Sequence, residues 1–151
     1  MEKEFIASIS KIIERDLNKL EEEINLYSNE EIIWRIDREI KNSGGNLCLH
    51  LCGNLQNYIG AILGKTGYIR NRDNEFAAKG LTRTELIAEI QRTKSAVKST
   101  LQELNPAVLQ EEYPAQVFSY SMTTTHFLIH LTAHLEYHLG QVNYHRRLLS
   151  K

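Results

Sequence analysis

The sequence predicts an all-α fold, a four-helix bundle joined by long and uneven connections. Two observations carry this: four long stretches keep apolar residues three and four apart, and no stretch alternates strongly enough to build a sheet. Size agrees. The 151 residues, 42% hydrophobic and 25% charged, suffice for one domain, residues 1–151, with a substantial core.

From Lys3 to Tyr27, Ile6, Ile9, Ile13, Leu17, Leu20, Ile24 and Tyr27 hold helical spacing with charges on the other side, which predicts a long first helix. Ser28 and Asn29 can cap a short turn through Ile32, Ile33 and Trp34, with Trp34 either a core anchor or a pocket wall. The run Asn42-Ser-Gly-Gly-Asn46 breaks the chain, and Asn46 is placed to cap the next helix, Leu47 to about Leu63. Its stripe is Leu47, Leu51, Leu55, Tyr58 and Ile62, with His50 at the edge in line with Asn54 and Asn57. Cys48 and Cys52 lie about 160° around the helix from His50, so they cannot share an ion with it. They read as buried thiols acting as small hydrophobes.

Residues 64–80 are polar with scattered glycines and predict a long connection, of the kind that often carries function. There Arg70, Arg72, Asp73, Glu75 and Phe76 either anchor the connection by ion pairs, or Arg70 and Arg72 meet an anionic substrate. Thr82 and Glu85 match a capping box for a third helix running through Leu86, Ile90, Leu101 and Leu104 to Asn105-Pro106. Residues 106–125 read as irregular, with Gln116 to Tyr120 extended, and one of Thr123, Thr124 and Thr125 caps the last helix.

That helix holds five of the six histidines, in HFLIHLTAHLEYHLGQVNYH from His126 to His145. His126, His130, His134 and His138 recur every four residues, which stacks them on one helical face with a drift of about 40° per step. The outer two would stand about 18 Å apart, so four cannot serve one ion but two neighbours can. Leu131, Leu135, Val142 and Leu149 lie about 60° to 100° from His134, which marks the buried direction. His134 and His138 lean nearest to it and form an i, i+4 ligand pair, while His126 falls toward the surface. His50 is the candidate third ligand, at the mouth of the bundle. The zinc-protease glutamate is missing: position 135 is Leu, and Glu136 projects about 200° away.

Composition excludes other classes. A net charge of −1 gives no general attraction to nucleic acid or to an anionic membrane. No apolar run approaches about 18 residues and MEKEFIAS lacks a signal-peptide core, so a cytoplasmic protein is the expectation.

Three segments carry a family resemblance: Asn42-Ser-Gly-Gly-Asn-Leu-Cys-Leu-His50-Leu-Cys-Gly-Asn-Leu55, Arg70-Asn-Arg-Asp-Asn-Glu-Phe76 and His134-Leu-Glu-Tyr-His138-Leu-Gly-Gln-Val142. In order and spacing they resemble the DinB/YfiT superfamily, in its bacterial branch with the N-S-x-x-N-L-x-L-H-L-x-G-N-L and H-x-x-x-H-x-G-Q signatures. The resemblance implies a four-helix bundle that holds one divalent transition metal, zinc or nickel with iron or manganese as further options, through His50, His134 and His138. It leaves His126, His130 and His145 as surface or second-shell groups, and Gln141 is placed to orient a ligand or bound water. It also implies a metal-dependent enzyme, foremost a thiol S-transferase that joins a low-molecular-weight thiol to a small electrophilic substrate, and a homodimer. A metal-dependent hydrolase, a non-catalytic metal-binding or stress-related interaction protein, and purely structural histidines stay open.

Overall fold

A computed structural model describes residues 1–150. Helix α1 (Glu2–Leu26) forms because its apolar stripe has somewhere to go: Ile6, Ile9, Ile13, Leu17, Leu20 and Ile24 are all buried. Each such side chain contributes about 1.5–3 kcal/mol by leaving water. Glu2 and Glu4 in the first turn suit the positive end of the helix dipole. A short α2 (Glu30–Ile33) follows under an Asn29 cap, whose side-chain oxygen accepts from the Ile32 amide at 3.1 Å.

Helix α3 (Gly44–Leu55) is the central element, and every residue of it except Leu49 is buried. Its cap is Ser43, not Asn46: the Ser43 hydroxyl accepts from the Asn46 amide at 3.1 Å. Both residues are good caps in isolation. Tertiary contacts decide, because the Asn46 side chain is drawn outward to donate to the carbonyls of Glu75 and Ala78 at 3.0 and 2.8 Å. Neighbours come close over the glycines of α3. The Trp34 ring lies over Gly45, where a Cβ would stand 2.7 Å from it. Trp34 is thereby a packing anchor, with its indole N–H donated to the Leu81 carbonyl at 3.0 Å. The helix does not run regularly to residue 63; from Gln56 to Ala61 it widens into a π-helical turn.

The connection after α3 carries its own short helix, α4 (Arg72–Ala77), capped by Asn71. Helix α5 (Arg83–Glu103) starts with the full Thr82/Glu85 capping box. A 3-10 turn (Pro106–Gln110) and an isolated bridge between Glu112 and Thr123 then lead into α6 (Thr124–Leu149), which Thr123 caps. Residues 116–120 form no strand, in contrast to the extended segment expected from their composition. The bridge satisfies the backbone on either side of them, and Phe118 instead packs on Tyr120, Phe127 and His130.

The described residues are thus helical with no strands. Helix α1 packs on α5 and α6, and α3 packs on the same two, so both hydrophobic stripes close on one core. None of the helices is long and apolar enough to cross a membrane.

Candidate metal centre

The site is built where α3, α4 and α6 meet. His50 lies on α3, buried to 6% exposure, deeper than the mouth position its stripe edge suggests; α4 covers it. His134 and His138 come from α6 one turn apart and are half-buried. The structure brings these three together: one nitrogen from each lies within 4.8 Å of the others. The Nε2 atoms of His50 and His134 are 3.1 Å apart, and the His50 ring stands edge-on to both others, with centroids 5.0 and 5.2 Å away.

These distances fit a shared ion. Two imidazole nitrogens each about 2.0–2.1 Å from one ion, at angles between octahedral and tetrahedral, stand about 2.9 to 3.4 Å apart. The third ring needs only a modest swing to join them. Outer partners also fit. His50 Nδ1 is 3.0 Å from Glu75 Oε1, and His138 Nδ1 is 2.7 Å from Gln141 Oε1. A carboxylate can only accept, so His50 carries its proton on Nδ1; the Gln141 carbonyl sets the same tautomer on His138. In both rings the Nε2 lone pair is left facing inward, as a metal ligand requires.

Electrostatics keep the pair on α6 uncharged. Burial, with His138 and His50 as positive neighbours should they protonate, pushes His134 down to about 3. Burial also lowers His138, against the opposing hydrogen bond of Gln141. Neutral imidazole is the form that binds metal.

Glu75 is the functional residue that sequence reasoning undervalued. Arg70 clamps it in a two-pronged ion pair, Nε to Oε2 and Nη2 to Oε1, both at 2.8 Å. Burial alone would raise the Glu75 carboxyl, but hydrogen bonds from His50 and Arg70 and the Arg70 charge outweigh it and hold the group below its usual range. Arg70 therefore anchors the connection and is not left for a substrate anion. Arg72 lies outside the site, exposed over the Phe76 ring at 5.2 Å. Phe76 itself covers His50, with ring centroids 4.8 Å apart. The carboxylate reaches His50 only because Gly53 lies beneath it, where a Cβ would overlap the Glu75 side chain. One local signal existed: an acid and a base five residues apart beside an aromatic residue, in an otherwise polar connection.

The other histidines divide. His126 is exposed, as its place on the wheel predicted. His130 stacks between Phe118 and Phe127, one turn from His134 with ring centroids 6.3 Å apart. His145 is neither a surface nor a second-shell group: it is 3% exposed, 2.6 Å from the Tyr27 hydroxyl through Nδ1 and 2.8 Å from the Arg35 carbonyl through Nε2. Cys48 and Cys52 are free and fully buried, and both stand apart from the cluster. Glu136 points away and pairs with Arg15 at 2.7 Å.

No curated protein and no solved structure matches the chain. One family model does, over residues 1–151, and on that match the chain belongs to the family described as protein of unknown function DUF1572.

Proposed function

We propose that the chain is a metal-dependent thiol S-transferase on a four-helix bundle of the DinB/YfiT type, with His50, His134 and His138 as ligands to one divalent transition metal. The observation that carries this reading is the set of three imidazoles converging on one point, two of them fixed from behind by Glu75 and Gln141. A divalent ion held there supplies a lowered pKa to a bound thiol or water, making it nucleophilic near neutral pH.

The chain's own residues favour a thiol over water. Glu75 has Oε1 engaged by His50 and Arg70 and Oε2 by Arg70, and Glu136 is tied to Arg15 on another face. Neither carboxylate is free to take a proton from water. A thiol loses its proton to solvent with far less help, and its sulfur then bonds to an electrophilic carbon as the leaving group departs with its electron pair. Phe76 shields the His50 side of the site, and Tyr137, 5.1 Å from the His138 ring, flanks the other.

The test is metal content per chain by elemental mass spectrometry, on protein purified without a metal-affinity step. Near one ion per chain is expected, lost in His50→Ala, His134→Ala and His138→Ala and kept in His126→Ala. No ion after supplying zinc, nickel and manganese would refute the site. An ion retained with no turnover across a panel of low-molecular-weight thiols and electrophiles would leave a non-catalytic metal-binding protein.

A further inference from the structure

Two of the three imidazoles have an acceptor behind them; His134 has none. Its Nδ1 is buried without a hydrogen-bond partner, and so is Oδ1 of Asn54, a residue only 7% exposed. Asn54 sits one turn after His50 on α3, next to the Gly53 that lies beneath Glu75. Leu47 shares a cavity with Gln141 and Tyr144, His50 meets His134 and His138, and the Tyr58 ring meets Phe127 at 5.1 Å. The two helices therefore run antiparallel, and Asn54, between His50 and Tyr58, faces the turn from His130 to His134. Helical side chains lean toward their N-terminus, which carries the His134 ring toward that same turn.

Neither atom is bonded to the other in the metal-free chain. Glu75 fixes His50 with a bare Nε2, so the 3.1 Å contact between the two Nε2 atoms needs His134 to donate from its own Nε2. His134 Nδ1 is then an acceptor, and Asn54 Oδ1 is another, so in this tautomer the two have no hydrogen bond to form. An ion on Nε2 displaces that proton, and a neutral imidazole must then carry its proton on Nδ1. Resting on the ligand assignment above, we propose that Asn54 is a positioning residue for the metal centre: its Oδ1 accepts the Nδ1 proton of His134 in the metal-loaded chain and so completes the outer set begun by Glu75 and Gln141. The imidazole is neutral before and after, with solvent carrying the proton from one nitrogen to the other.

The experiment combines competitive zinc titration of wild type, Asn54→Leu and Asn54→Asp with long-range 1H–15N spectra of histidine-labelled protein. In wild type the His134 signal should change from the Nε2–H to the Nδ1–H tautomer on zinc loading. Asn54→Leu should weaken zinc by about 10-fold or more, and Asn54→Asp, which keeps an acceptor oxygen, should stay within about threefold of wild type. Asn54→Leu binding zinc as tightly as wild type would overturn the inference while leaving the three ligands in place. Wild type that takes no zinc would overturn both. If Asn54→Leu fails to fold, the wild-type spectrum decides: an Nε2–H tautomer that persists after loading refutes the role.

Discussion

Removing the Glu75 carboxylate tests how the site is supported. In Glu75→Ala the Arg70 guanidinium loses both hydrogen bonds of its ion pair, and His50 loses the acceptor that fixes its tautomer. The Arg70 and Glu75 side chains are 10% and 6% exposed, so solvent screens the pair little. Breaking a buried pair by deleting one partner costs about 3–5 kcal/mol, because the other charge is left stranded. At about 2–4 °C per kcal/mol for a chain of this length, the midpoint of thermal unfolding should fall by about 6–20 °C. Metal affinity should fall by about 10- to 100-fold, the usual result of removing a group that orients a ligand from behind. Differential scanning fluorimetry of the metal-free protein and competitive zinc titration read the two effects separately. The stability difference has a pH signature too. The folded carboxyl sits below its unfolded value of about 4.3, so its contribution is complete above that pH and is lost as pH falls through the folded value. Wild type and Glu75→Ala should therefore converge in acid. Equal melting and equal zinc affinity at pH 7 would refute the assignment of Glu75 as a support for His50.

Gly53→Ala separates helix propensity from this contact. Inside a helix the change should stabilise by about 1 kcal/mol, yet here the new methyl meets the Glu75 carboxylate, so metal-free stability and zinc affinity should both fall, by less than in Glu75→Ala. Greater stability with unchanged zinc affinity would show that the carboxylate has room to move. Burial lowers the His145 imidazole, so the unfolded chain binds its proton first and stability should drop as pH falls below about 6.5. His145→Gln should flatten the difference between urea midpoints at pH 7.5 and 5.5, and an unchanged difference would remove His145 as a source. The hydrogen bond with Cys52, together with burial, raises the Cys48 thiol, and both cysteines are fully buried, so alkylation by iodoacetamide should track global unfolding in urea. Modification of the native protein within minutes would contradict the packing.

Helical periodicity reports what one helix can know about itself. The four-residue ladder and the apolar direction of α6 were enough to select His134 and His138 and to set His126 aside, because side-chain azimuth follows from spacing alone. His145 was within reach of the same reasoning: eleven residues past His134, it returns to within about 20° of it, on the buried side. What it lacked was a visible partner, since Tyr27 is 118 residues away in sequence. Glu75 was hidden for the same reason. It meets His50 across 25 residues, from a connection with no period to give its direction. Asn46 shows the converse, a residue whose local preference for capping is real but is overruled by the carbonyls of Glu75 in α4 and of Ala78 just after it. The widened turn at Gln56–Ala61 has no composition signal that distinguishes it from ordinary helix.

The way Asn46 and Glu75 hold α4 has a kinetic side. Helix α4 has six residues, one of them buried, and it rests on α3 through a handful of polar contacts, whereas α3 and α6 are locked into the apolar core. Segments held in this way open on their own, at a free energy well below that of global unfolding. When α4 lifts, it takes with it the support of His50 and the aromatic cover beside it. Exchange with solution of an ion held by the proposed ligands would then keep time with a local opening, so that a metal held firmly at equilibrium would still be traded without unfolding. Hydrogen exchange would show this as amides of α4 that exchange ahead of those in α3 and slow on zinc loading; protection of α4 equal to that of α3 in the metal-free chain would exclude it.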